Sequence, residues 1–90
     1  MITLANAIQK LQARLKDTDI QIFNICDDLG DCWIFDWRYK KAPEELTSGD
    51  LFKIDKKSGK IEMVFMGLPK EPFFERLFSN QNKIDISQYL

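Results

Sequence analysis

The segment Cys32–Tyr39, which reads CWIFDWRY, decides the fold. An aromatic residue stands at every second position, as Trp33, Phe35, Trp37 and Tyr39. Successive side chains of a strand point to opposite faces of a sheet, so a period of two places all four rings on one face. The segment therefore predicts a strand whose aromatic face forms a wall of the core.

Further strands are predicted on both sides of this segment. Residues 20–26 are rich in β-branched and aromatic residues, and residues 27–31 form a turn in which Gly30 supplies a positive φ. Residues 51–55 and 60–66 flank the sequence KKSG at Lys56–Gly59, a spacing that indicates a hairpin with glycine in the left-handed position. The glycine and proline at residues 67–69 end its second strand.

Two helices complete the pattern. Near the N-terminus the apolar residues recur at steps of four, three and four, which draws one stripe along a helix capped by Thr3 and ending near residues 17–19. These residues are Leu4, Ile8, Leu11 and Leu15. A short second helix begins at Pro72 and is expected to pack its aromatic residues back on the domain. Its apolar residues are Phe73, Phe74, Leu77 and Phe78.

The sum is a single α+β domain over residues 1–90, with the N-terminal helix packed on one face of a four-stranded antiparallel sheet and a short C-terminal helix. Residues 40–49 are polar and predict an exposed, flexible connector. For residues 80–90 the pattern leaves two alternatives open, an added edge strand or an irregular packed segment.

Composition excludes many chemistries. The 90 residues include no histidine, which removes Ser-His and Cys-His catalysis and histidine-ligated metals. No carboxylate spacing selects an acid–base pair, so we expect no enzyme activity and no cofactor. The chain shows neither a membrane-spanning run nor a secretory leader, so a cytoplasmic location is expected. Net charge is −1, which argues against nucleic-acid binding by the lysine-rich hairpin.

The two cysteines, Cys26 and Cys32, lie six positions apart across the predicted turn. That spacing allows them to face each other on neighbouring strands, but reduced, partly buried thiols are favoured in a cytosolic protein. The turn between them carries Asp27, Asp28 and Asp31, which match no complete metal-binding motif and are expected to be solvated.

Negative charge is concentrated in the first third of the chain. Five aspartates and no basic residue lie between Asp17 and Asp31, whereas lysines cluster around the hairpin. This separation predicts a polarised domain whose acidic side attracts a basic protein partner, the alternative being an ordinary solubility pattern. Asp27, Asp28 and Asp31 are the polar contacts expected in such a complex.

The second face of the sheet is predicted to be half apolar, since residues 32, 34, 64 and 66 lie on it. It is expected to receive a partner protein, to form a homodimer, or to be covered by the C-terminal tail. Trp33 and Trp37 become anchors for a partner if the aromatic face is the outer one.

One family resemblance covers about half of the chain. The residues that carry it are Trp33-x-Phe35, Phe52-x-Ile54-Asp55-Lys56-x-Ser58-Gly59-x-Ile61, Gly67-x-Pro69 and Phe73-Phe74. This pattern resembles the YrhB-like immunity proteins of bacterial polymorphic toxin systems. The hairpin part is also similar to that of PepSY-like inhibitory domains. The first resemblance implies a helix, a small antiparallel sheet, an Asp-Lys-Ser/Thr-Gly hairpin and a proline-led helix, in a protein that binds and blocks a cognate toxin domain.

Two functional hypotheses follow. The first is a cytoplasmic immunity or inhibitor protein that covers the active surface of a partner without catalysis. The second is a structural or regulatory module that dimerises through its exposed sheet face.

Overall fold

A computed structural model describes residues 1–45, 49–65 and 72–90, with the backbone alone for residues 72 and 73. The helices are α1 (Leu4–Leu15), α2 (Pro72–Ser79) and a single 3-10 turn (Ser87–Tyr89). The strands are β1 (Ile20–Asp28), β2 (Cys32–Tyr39), β3 (Asp50–Asp55), β4 (Ile61–Phe65) and β5 (Lys83–Asp85). They form one antiparallel sheet in the order β4-β3-β2-β1-β5. The α+β class is confirmed.

The sheet has five strands among the described residues, so the expected number of four is wrong by one. The added strand is β5, which pairs with residues 25–27 of β1 and settles the tail as an edge strand followed by a 3-10 turn. Ile86 is fully buried, and its backbone N–H donates to the Asn24 carbonyl oxygen at 2.8 Å. A three-residue strand is too short to produce a recognisable period in the sequence. The position of β5 depends on the buried side chain of Ile86, which directly follows it.

The aromatic face of β2 is the core wall, as predicted. Trp33, Phe35 and Trp37 are buried in one cluster with the apolar stripe of α1, and Tyr39 packs against its edge. The indole N–H of Trp37 donates to the Asp50 carbonyl oxygen at 2.8 Å, which satisfies the polar atom of this buried ring. The core therefore lies between α1 and the sheet.

Helix α1 forms where the sequence predicts it, but it ends at Leu15, before the expected residues 17–19. Thr3 has extended backbone angles, and its hydroxyl accepts a hydrogen bond from the Asn6 backbone N–H at 3.1 Å. This is the geometry of an N-cap. The buried residues of the helix lie on the predicted stripe with one small addition, and they are Ala7, Ile8, Leu11 and Leu15.

The second helix covers part of the opposite face, and α2 was not among the three kinds of cover expected for that face. Leu77 of α2 is buried in a second cluster with Cys32, Ile34 and Leu51. The residues of β2 that point away from the aromatic wall are apolar enough to need this cover. The sheet thus lies between two helices, one on each face.

The hairpin between β3 and β4 forms as predicted, with Gly59 at φ +72°. The Asp55 carboxylate accepts hydrogen bonds from the backbone N–H groups of Lys57 and Ser58, both at 2.8 Å. The predicted end of its second strand, at residues 66–69, lies outside the described residues. Within the described ranges, neither helix has the length and apolar character that crossing a bilayer requires.

Two turn glycines provide a matched test of crowding. Gly59 and Gly30 both have positive φ, but a Cβ on Gly59 would lie 3.3 Å from the Ile2 side chain, whereas a Cβ on Gly30 would meet open space. We expect Gly59→Ala to lower the free energy of unfolding by about 2 kcal/mol and Gly30→Ala by about 1 kcal/mol, since both share the left-handed backbone cost. Urea unfolding measures both, and equal losses would contradict the crowding at Gly59.

Candidate functional site

Asp27 and Asp28 are the last residues of β1, so the turn is shorter than the predicted 27–31, and Asp31 lies within it. Each of the three aspartates is paired with a cation from a distant part of the chain. Asp28 lies 2.7 Å from Lys56 Nζ, Asp31 lies 2.7 Å from Arg76 Nη2, and Asp27 lies 2.6 Å from Lys83 Nζ. These cations come from the β3–β4 turn, α2 and β5. The predicted charge separation is therefore wrong at this turn, because the fold brings basic residues to it.

The pair of Asp28 and Lys56 joins the two turns at this end of the sheet. The Asp28 carboxylate also accepts a hydrogen bond from the Gly30 backbone N–H at 2.8 Å. Lys56 Nζ lies 5.0 Å from the centroid of the Trp33 ring, within cation–π range, and the Lys56 side chain is 15% exposed. The hydrogen bond from Lys56 is the main cause that lowers the pKa of the Asp28 carboxyl below its usual value.

The second pair ties helix α2 to the same turn. Arg76 Nη2 donates to the Asp31 carboxylate and also to the Leu29 carbonyl oxygen, both at 2.7 Å. This guanidinium lowers the pKa of the Asp31 carboxyl, chiefly through the hydrogen bond. Both side chains are substantially exposed, so the pair positions α2 more than it stabilises the fold.

These pKa shifts predict acid sensitivity. A carboxyl whose pKa is lower in the folded than in the unfolded state stabilises the fold above its unfolded pKa and loses that contribution as the pH falls through its folded pKa. We therefore expect the free energy of unfolding to fall below about pH 4. Because Asp28→Asn already lacks the ion pair, its deficit relative to wild type should shrink on acidification. Urea titrations at several pH values measure this, and a deficit that stays constant down to about pH 2 would contradict it.

The third pair lies on the sheet face that carries α2. The Asp27 carboxylate accepts hydrogen bonds from Lys83 Nζ at 2.6 Å and Asn80 Nδ2 at 3.1 Å. Across the sheet, Asp27 is opposite Ile34, and Ile34 is opposite Lys53. The face at this level therefore presents one apolar residue between oppositely charged ones.

Trp33 and Trp37 do not lie on a surface. Their exposed fractions are 5% and 4%, and both belong to the cluster beneath α1. The anchor role required the aromatic face to be the outer one, and in this fold it is the inner one. Neither ring is available to a partner without displacement of α1.

The open part of the second face contains a groove of about 270 Å³. Ile34 and Leu51 from the sheet and Leu77 and Phe78 from α2 provide its apolar lining. Its polar lining is provided by Asp27, Asp36 and Lys83. Phe78 is 70% exposed, so the expectation that all the aromatic residues of α2 pack inward is wrong for this ring. Phe74 and Leu77 occupy the inward face, whereas the Phe78 ring, one turn after Phe74, stacks on Phe74 with ring centroids 6.4 Å apart and remains mostly exposed.

Two more apolar side chains are exposed on the same face of the sheet. Phe23 and Ile25 of β1 are each 40% exposed, at an irregularity where residues 23–25 of β1 lie opposite the single residue Asp36 of β2. The Arg38 guanidinium lies 4.7 Å from the centroid of the Phe23 ring, and Arg38 Nη1 lies 2.8 Å from Asp36 Oδ2. We call the set of Phe23, Ile25, Phe78 and the groove the apolar patch. The irregularity in β1 interrupts the alternation of inward and outward side chains, so the sequence pattern does not predict the apolar patch.

The two cysteines lie on opposite faces of the sheet. Cys26 belongs to the cluster beneath α1 and Cys32 to the cluster beneath α2, and both thiols are free. The expectation of reduced, buried thiols is confirmed, since side chains on opposite faces cannot form a disulfide. Burial raises the pKa of Cys26 to about 12 and that of Cys32 to about 11. Neither thiol is ionised at neutral pH, so neither is an activated nucleophile.

Three further carboxylates, which could in principle do acid–base work, are bound to local partners. Asp36 binds Arg38, Asp55 caps the β3–β4 turn, and Glu62 lies 3.0 Å from Lys60 Nζ. Among the described residues, no three potential metal ligands converge on a common point.

No family model, no curated protein and no solved structure matches the chain.

Proposed function

We propose that this chain is a small cytoplasmic binding protein of the immunity or inhibitor type, which covers a surface of a partner protein and performs no catalysis. The observation that carries the proposal is the apolar patch, where Phe78 is 70% exposed beside an apolar groove. Large aromatic side chains are the anchors that most often dominate the energy of protein complexes. The resemblance to YrhB-like immunity proteins supplies the class of partner, a toxin domain.

The patch also indicates how a partner would be held. The groove is large enough for one or two apolar side chains, and ion pairs border it through Asp27 with Lys83 and Asp36 with Arg38. A polar rim around an apolar centre is the usual anatomy of a non-obligate interface. Phe23 and Phe78 replace Trp33 and Trp37 as the proposed anchors, and Asp27, which lines the groove, is the proposed polar contact. Asp28 and Asp31 no longer have that role, because they do not line the groove and their carboxylates pair with Lys56 and Arg76.

The test begins with capture from the native host at low salt on three immobilised baits. They are the wild type, Phe78→Ser, and Leu90→Ser, which removes a 54% exposed side chain beside a different groove, between α1 and β1. We expect one protein to be enriched on the wild type and Leu90→Ser. Its yield should fall at least about tenfold on Phe78→Ser, as for loss of an interface anchor.

The purified partner then decides the function. A stoichiometric amount of the wild-type chain should suppress its activity or its toxicity on expression, and Phe78→Ser should fail to do so. A partner that stays active when saturated would contradict the inhibitor assignment. Equal capture on all three baits would remove the apolar patch as the binding surface.

The alternative hypothesis, a homodimer through the exposed sheet face, concerns the same surface. Helix α2 already occupies part of that face, and the remaining apolar area is the apolar patch. A sedimentation experiment in which wild type dimerises and Phe78→Ser does not would favour this alternative over a separate partner.

A further inference from the structure

The outer edge of β4 is open among the described residues, since β3 is the one strand that pairs with it there. Two large apolar side chains on this strand are half exposed, Met63 at 51% and Phe65 at 55%. They share a face with Ile61, which belongs to the core beneath α1. The apolar row of the core therefore continues to the sheet edge, where no strand among the described residues pairs beyond it.

The backbone of β4 is arranged to accept another strand. Asp55 donates its backbone N–H to the Lys60 carbonyl oxygen at 3.1 Å, which identifies this pair as a hydrogen-bonded one. Hydrogen-bonded and non-hydrogen-bonded pairs alternate in an antiparallel ladder, so Ile61, Met63 and Phe65 point their backbone groups away from β3. An edge strand with outward amides and apolar side chains is a template for pairing.

The other edge of the sheet is protected in the usual way. Strand β5 is three residues long, its exposed side chains are Lys83 and Asp85, and the chain turns into a 3-10 helix two residues later. Short, charged edge strands resist pairing with other chains. The contrast between the two edges singles out β4.

We infer that β4 pairs with β4 of a second copy of this chain, antiparallel and about a two-fold axis at Met63. Such an axis sets Met63 opposite the same residue of the other copy and Ile61 opposite Phe65, so one face of the junction becomes an uninterrupted apolar row. On the other face Glu62 lies opposite Val64. A shift of the axis by one residue would set Glu62 opposite itself, and like charges directly opposite are unfavourable.

The size of this contact sets its strength. Each copy contributes two half-exposed side chains and a five-residue strand edge. The surface buried by this contact is smaller than the roughly 1,200 Å² at which stable interfaces begin. The dimer is therefore a weak one, with a dissociation constant on the order of 100 µM. This surface lies on the opposite face from Phe78, so self-association does not depend on the proposed function.

The experiment combines sedimentation with disulfide trapping. Wild type should dimerise over the concentration range around that constant, and Met63→Lys should weaken the dimer at least about tenfold by setting two ammonium groups opposite each other. Met63→Cys should crosslink on mild oxidation, because the Cα atoms of a hydrogen-bonded antiparallel pair are about 5.5 Å apart. The matched control is Lys57→Cys, at an exposed position of the β3–β4 turn that lies outside the proposed strand pairing. The native thiols are buried and do not compete.

Several results would overturn the inference. A monomer at about 1 mM would do so, as would crosslinking of Lys57→Cys as fast as Met63→Cys. So would a dimer that survives Met63→Lys but is lost on Phe78→Ser, since that dimer would use the other face of the sheet. Circular dichroism of Met63→Lys should match the wild type, because the side chain is half exposed and removes little from the core.

Discussion

Phe35→Ala should lower the free energy of unfolding by about 4 kcal/mol, the largest effect of any single substitution considered for this chain. Phe35 is fully buried at the centre of β2, where it is opposite Cys26 of β1 and Phe52 of β3. The residues around it belong to a sheet hydrogen-bonded on both sides, so the cavity cannot collapse by movement of one element. For a domain of this size that loss is a large share of the total of roughly 5–13 kcal/mol.

The matched control for Phe35 is Phe78→Ala, the same chemical change at a 70% exposed position. It should alter the free energy of unfolding by less than about 0.5 kcal/mol. Thermal and urea unfolding of both variants make the comparison, with a decrease in Tm of about 20 °C expected for Phe35→Ala. Similar small losses in both variants would mean that the aromatic face of β2 is not the central wall of the core.

The parts of the fold that could be predicted from sequence are those fixed by short-range periodicity. The alternation through Cys32–Tyr39, the stripe of α1 and the glycine at residue 59 each depend on side-chain direction or backbone conformation within a few residues. All three are found in the structure. The same alternation also indicated that the aromatic face is the inner one, which removes Trp33 and Trp37 from the surface.

The parts that could not be predicted depend on contacts between residues far apart in the chain. Arg76 reaches Asp31 across 45 positions, and Lys83 reaches Asp27 across 56. No local pattern marks such pairs, so the turn aspartates were expected to face solvent. Strand β5 and the placement of α2 on the second face are of the same kind, since each is determined by one or two buried side chains, Ile86 and Leu77.

The proposed binding surface was even harder to predict from the sequence. Phe78 and the irregular segment of β1 around Phe23 interrupt the regular patterns, and an interruption is not by itself a signal. The composition did exclude histidine-based chemistry, since the sequence has no histidine. The position of the apolar patch follows from the packing of α1 and α2 on opposite faces of the sheet, which no local pattern predicts.

Lys56→Met is expected to give the second large loss, about 2 kcal/mol, because it leaves a partly buried carboxylate without its cation. Methionine keeps most of the apolar stem that packs near Trp33, so the change isolates the charge. The matched control is Lys60→Met, which also removes a lysine from an ion pair, with Glu62. The Lys60 side chain is 71% exposed against 15% for Lys56, so the control should cost less than about 0.5 kcal/mol.

A double-mutant cycle with Asp28→Asn assigns the loss to the pair itself. If Lys56 and Asp28 stabilise the fold through each other, the coupling energy should be about 1–2 kcal/mol, and the double variant should be more stable than additivity predicts. Because the pair joins the β1–β2 and β3–β4 turns, its loss should also increase hydrogen exchange at the Lys56 N–H, which donates to the Asp31 carbonyl oxygen at 3.0 Å. Strict additivity with unchanged exchange would show that the two turns are held together by the backbone and the buried core alone.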